Sequence, residues 1–176
     1  GVVDGFLYDA AGAPVAGGHV SLSPLGTPFG EPLESTTGPD GSFLFPLVPF
    51  GLSNQVVFSG TLDGVDRWAE SRVGVTATSP RARATLRVVP VGEVTVRVAA
   101  SGAGALSPVA GAQVRVEETG GPGRAFDGTT DAEGIARFPG VSAGPIAVLA
   151  RKDLVAGRGA ALGVGEGYRV DAIVLL

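Results

Sequence analysis

Thr36–Phe45 reads TTGPDGSFLF, and Thr129–Phe138 reads TTDAEGIARF. In the first stretch Pro39 presets the φ of a type I turn, Asp40 suits the next position, and Gly41 takes the left-handed conformation that closes the corner. In the second, Asp131 caps the turn through its side chain, Glu133 follows, and Gly134 closes it. Thr pairs and Phe residues are strand formers, so each stretch is expected to be a β-hairpin with its threonines in the strand.

The match extends outward from these corners. Pro14–Val20 (PVAGGHV) repeats as Pro108–Val114 (PVAGAQV) at an offset of 94 residues. Thr36, Thr37, Gly41, Phe45, Val48 and Gly51 return as Thr129, Thr130, Gly134, Phe138, Val141 and Gly144 at an offset of 93. Several anchors at nearly one offset define an internal repeat of roughly 90 residues. The expected domains are residues 1–90 and 91–176, joined by a minimal linker at Val89–Gly92.

Period-two alternation fills both halves. Glu93–Ala99 (EVTVRVA) sets Val94, Val96 and Val98 on one face, and Gln113–Glu117 and His19–Ser23 follow the same rule. The helical spacing i, i+3, i+4, i+7 is not found free of Gly or Pro. The 29 Gly and 13 Pro among 176 residues suit short strands joined by many turns. Each half reads as about seven strands, near 2–8, 19–23, 33–37, 42–46, 54–59, 67–76 and 83–89, then near 93–99, 113–117, 126–130, 135–138, 145–151, 158–164 and 168–175. The fold class is therefore all-β, two tandem sandwiches.

Gly1–Pro24, followed by TTGPDGSFLF and Val48–Gly51 (VPFG), resembles a carboxypeptidase regulatory-like module. Ser107–Glu118, TTDAEGIARF and Val141–Gly144 (VSAG) resemble it again. The resemblance implies a prealbumin-like Greek-key sandwich, used as an accessory in bacterial surface and secreted proteins and beside metallocarboxypeptidase domains. Two features depart from the pattern: Gly144-Pro145-Ile146 lacks the usual aromatic, and the Pro24–Pro32 loop is long.

Catalytic inventory is thin. With one His and no Cys, three or four zinc ligands cannot be assembled from these types, so a carboxypeptidase centre is excluded. A Ser-His-acid triad could use only His19, which reads as a solvent-facing strand residue beside Val20. Glu117 and Glu118 point to opposite faces and read as a solvated strand end. Asp40, Asp131 and Glu133 could approach Ca²⁺ near the turns, but that ion takes six to eight oxygens, and turn chemistry explains them. An isopeptide crosslink cannot join the only Lys, Lys152, to the only Asn, Asn54, within one half; Lys152 with Asp171 is the pairing that stays open. Gly157–Gly163 mimics a dinucleotide loop without the βαβ setting. No cofactor is expected.

The net charge is −4 with no basic cluster, which argues against nucleic acid. No apolar run reaches the ~18 residues that span a bilayer. A start at Gly1 on strand-like sequence is expected of a mature form or an excised fragment. Six of eight Phe lie in the first half with Trp68 and Tyr8. Phe29 and Phe50 each sit as Pro-Phe-Gly in a loop, where they either cap the sandwich or, with Trp68, meet a protein partner or a sugar. The function expected is a non-enzymatic spacer and interaction segment of a larger bacterial extracytoplasmic protein, its partners being flanking domains or another surface protein. The alternative is a carbohydrate- or protein-binding module centred on these loop aromatics.

Overall fold

The structure is a computed structural model of the chain. It describes residues 1–26, 31–102, 105–164 and 169–176, with the backbone alone at 102, 160–164 and 169–172. All regular structure among these residues is β, and none of it is a helix long and apolar enough to cross a membrane. The chain divides into two units, Gly1–Val89 and Pro90–Leu176.

The first unit holds β1 (Val2–Tyr8), β2 (His19–Pro24), β3 (Leu33–Thr36), β4 (Ser42–Phe45), β5 (Ser53–Leu62), β6 (Val65–Gly74) and β7 (Arg81–Arg87). They form a sandwich of two sheets, β4-β1-β7 and β3-β2-β5-β6. The second unit holds β8 (Val91–Gly102), β9 (Ala105–Pro108), β10 (Gln113–Glu118), β11 (Ala125–Thr129), β12 (Ile135–Ser142), β13 (Gly144–Lys152), β14 (Val155–Val164) and β15 (Arg169–Leu175). Its sheets run β12-β8-β15 and β11-β10-β13-β14, with β9 added to β8. Strand for strand the order is the same in both units. The alternation read from the sequence places the cores. Val94, Val96 and Val98 are fully buried, as are Phe43 and Phe45, whose rings meet edge to face at 5.8 Å.

Each unit is closed by its first and last strands, which pair in parallel. Val2 faces Arg81 and Tyr8 faces Arg87, while Glu93 faces Arg169 and Ala99 faces Leu175. Parallel pairing carries the chain in at one end of a unit and out at the other, roughly 20 Å along the strands.

The repeated stretches are corners between sheets and not the β-hairpins expected, since β3 and β4 lie in different sheets, as do β11 and β12. Gly41 (φ 76°) and Gly134 (φ 72°) are left-handed, and a Cβ there would stand 2.5 Å from the Leu7 carbonyl oxygen and 2.7 Å from that of Val98. No other residue satisfies both constraints. The second threonine of each pair is not a strand residue, because β3 and β11 stop at Thr36 and Thr129. Thr37 is buried; its Oγ1 accepts from Gly18 N at 2.8 Å and donates to Val15 O at 2.6 Å. Thr130 repeats this with Ala112 N at 2.9 Å and Val109 O at 2.7 Å. The hydroxyl thus clamps the corner to the Pro-Val-Ala-Gly segment, which explains why both motifs recur together.

Other strands depart from expectation. β5 and β6 continue to a two-residue turn because Asp63 (φ 52°) and Gly64 (φ 76°) both accept left-handed backbone. Asp153 (φ 54°) serves likewise between β13 and β14. β9 was not expected, since every residue in it is exposed and nothing alternates. It extends the place held in the first unit by a single Tyr8–Pro14 bridge.

Replacing Thr37 by Val keeps the shape and strands a buried N–H and a carbonyl, at a cost of about 1–3 kcal/mol. Thr37→Ser retains the hydroxyl and should cost less; Thr130 should give the same order. Urea unfolding measures both, and a native midpoint for Thr37→Val would show that the clamp is dispensable.

Candidate functional site

Of the aromatics expected at a contact surface, Phe29 lies outside the described residues. Phe50 is 50% exposed in the segment after β4, near Leu47 at 82%. Gly51 N donates to Val75 O at 2.9 Å, which sets Phe50 beside the far end of β6. Trp68 is half-buried on the outer face of β6, opposite Ser59. Six residues separate that rung from Gly74, roughly 20 Å, so the structure does not bring Phe50 and Trp68 together. His19 is exposed and pairs with Thr36.

The corner carboxylates are spent on their own turns. Asp40 Oδ1 accepts from Ser42 N and Ser42 Oγ at 3.1 and 2.6 Å, and these bonds lower its pKa. Pro39 beside it is exposed. Asp131 Oδ1 accepts from Glu133 N and Ile135 N at 3.1 and 2.8 Å. Lys152 Nζ reaches the Gly111 carbonyl at 3.3 Å, and the side chain of Asp171 lies outside the described residues.

Glu118 corrects the reading of Glu117-Glu118 as a solvated strand end. Glu117 stays on the surface with Arg115 at 2.7 Å. Glu118 is buried, 6% exposed, and pairs with Arg124 Nη2 at 2.9 Å and Nε at 3.1 Å. Ser142 N also donates to it at 2.7 Å, and Arg124 donates to Ser142 Oγ at 2.7 Å. The turn at Gly120–Gly123 folds the guanidinium back over the carboxylate, tying β10, β11 and β12 together. A spacing of six residues across a turn gave no sign of this in the sequence.

Two outer faces carry clusters of charged and aromatic side chains. On β1, burial of Val3 and Leu7 turns Asp4, Phe6 and Tyr8 outward. The two rings stack at 6.1 Å, and Arg83 lies over Phe6 at 5.8 Å. Asp4 also accepts from Arg83 at 2.8 Å and from Arg81 at 3.4 Å; the Arg83 bond is the main cause of a lowered Asp4 pKa. The parity of GFLY was the available signal for this face.

The other face covers β11-β10-β13-β14. One row of side chains runs Thr129, Gln113, Arg151, Ala156, and the next runs Asp127, Arg115, Leu149, Arg158. Together they line a trough of about 950 Å³. Arg115 is held by Glu117 at 2.7 Å and by Asp127 at 3.0 Å, and these carboxylates raise its pKa further. Arg151 donates to the neutral Gln113 Oε1 at 2.9 Å. Arg158 is exposed and has no hydrogen bond or ion pair among the described residues. Finding this trough required the register of four strands, which no local pattern supplies.

No known protein family and no curated protein matches this sequence. Similar solved structures exist. GBS52, the minor pilin of Streptococcus agalactiae, is 14% identical over 99% of this chain and 95% of its own, with a TM-score of 0.61. A streptococcal ancillary pilin is 14% identical over 98% of this chain and 62% of its own, with a TM-score of 0.51. At this identity the likeness is one of fold.

Removing the Glu118 carboxylate by Glu118→Ala leaves Arg124 partly buried without its charge partner, and should cost about 3 kcal/mol in urea unfolding. Native-like stability would mean that water replaces the pair at no loss. The Asp4 contribution carries a pH signature. Because its folded pKa lies below the ordinary value of 3.8, its stabilisation is complete above that pH and is lost as pH falls through the lowered value. The stability gap between the native chain and Asp4→Asn should be about 1 kcal/mol or less at neutral pH and should shrink as pH falls below 3.8. A gap that did not change with acidification would assign it to packing.

Proposed function

We propose that the chain is two copies of one carboxypeptidase regulatory-like module, acting as a non-enzymatic spacer in a larger extracytoplasmic bacterial protein. The observation that carries this reading is the parallel pairing of first and last strands in each unit. Such a unit holds whatever precedes it and whatever follows it at opposite ends. Tension applied at those ends runs along β1 and β7, so all seven rungs between Val2 and Tyr8 resist together rather than one at a time.

Each unit holds its own end of the chain: Val88 belongs to the first core, Val89 N donates to Trp68 O at 2.9 Å, and Pro90 O accepts from Ala143 N at 2.7 Å. The fold likeness to two pilins is in keeping with a structural role at a cell surface. A second reading, contact with a protein or carbohydrate through the first unit, is favoured by the exposure of Leu44, Leu47 and Phe50 within one short segment.

Single-molecule pulling on the two ends of the first unit tests the spacer reading: the unit should unfold in one step at high force, set by the β1–β7 rungs. Gradual extension at low force would overturn that reading. For the second reading, glycan arrays and partner capture should show binding that Phe50→Ala weakens; binding unaffected by Phe50→Ala would remove that segment from consideration.

A further inference from the structure

We propose that the trough on β11-β10-β13-β14 binds an extended acidic peptide segment, with Arg151 and Arg158 taking two of its carboxylates. Three observations on that face converge. First, the cations are uneven. Arg115 is already neutralised by Glu117 and Asp127. Among the described residues Arg151 and Arg158 have no carboxylate partner, and the guanidinium of Arg151 bonds to the Gln113 amide oxygen. Guanidinium groups in a concave surface recognise carboxylates through paired N–H donors. Because Gln113 Oε1 is spent on Arg151, its amide nitrogen is turned to donate as well.

Second, the spacing fits a strand. Arg151 faces Ala156 and Arg158 faces Leu149 across the β13–β14 hairpin. The two arginines are thus diagonal neighbours on one face, roughly 7–8 Å apart at Cα. Residues i and i+2 of an extended chain present side chains on one face at about 6.8 Å, so alternate acidic residues meet both guanidiniums without distortion.

Third, the floor between them is Leu149 and Ala156, and among the described residues no aromatic ring lines the trough. Aliphatic floor flanked by arginine is what protein contacts use. A saccharide would lack a ring face to stack on, which favours a peptide over an acidic glycan. Salt should weaken the contact, since both cations are exposed. The spacer role stands or falls separately from this site.

The test is fluorescence anisotropy on the full chain with a labelled eight-residue peptide alternating Glu and Thr. Its Lys-Thr counterpart and an oligogalacturonate of equal charge are the comparison probes. The Glu-Thr peptide should bind, the Lys-Thr peptide should not, and Arg151→Gln with Arg158→Gln should weaken binding tenfold or more. Arg158→Gln alone, at an exposed position, serves if the double variant does not fold. Amide chemical-shift changes should fall on β10, β11, β13 and β14. Absence of Glu-Thr binding, affinity unchanged in the arginine variants, or shifts elsewhere would overturn the proposal. So would oligogalacturonate binding as tightly as the peptide, which would make the trough an acidic-glycan site.

Discussion

The pairing of a first strand with a last strand is the constraint on which each unit rests. β1 meets β7 across almost the whole length of the first unit, and β8 meets β15 across the second. Remove that pair and β7 and β15 lose the ladder that ties them to their sheets, because β1 and β8 are the central strands on which β4 and β12 also depend. The remaining ladders are mostly local: β5 with β6 and β13 with β14 are hairpins joined by two-residue turns. Closure over so long a span is paid late in folding, as loop entropy must be met before the ladder forms. The threonine clamps act at intermediate range, fixing where β2 and β10 begin relative to the corner.

Much of this was legible in the amino-acid order, and the limits of legibility have physical causes. Alternation in EVTVRVA assigned Val94, Val96 and Val98 to a core, because a strand's side chains have period two whatever it packs on. The glycine that closes each corner was legible, because left-handed backbone leaves few residue choices. The role of Thr37 and Thr130 was not, since β-propensity sees a threonine as a strand former and cannot see a carbonyl 22 or 21 residues away. Glu118 was misjudged for the same reason: burial and pairing came from Arg124 and Ser142, on the far side of a turn and on another strand. The aromatics of the first unit were visible, yet only the register could show that Phe50 and Trp68 stand a strand's length apart.

The two units keep one backbone and display different side chains. Counting five residues on from the hairpin turns at Asp63 and Asp153 gives Trp68 and Arg158, each opposite the equivalent rung, Ser59 and Leu149. One position thus holds a large aromatic in one unit and an exposed arginine in the other. His19 and Ser21 likewise stand where Gln113 and Arg115 stand. The inward positions of the same strands hold Val20, Val114, Phe58 and Val148. Core identity is restrained by packing, whereas the outer faces have been left to take separate contacts.

Parallel terminal strands also decide how such a unit can be used in a longer polypeptide. Many domains have neighbouring termini and can be spliced into a host loop, or reopened at a new point by circular permutation. Here the two ends of each unit are held about 20 Å apart, so a short splice into a loop would pull a terminal strand out of its ladder. These units are suited to being strung end to end and poorly suited to being nested, and growth of the chain by duplication is the rearrangement this topology leaves open.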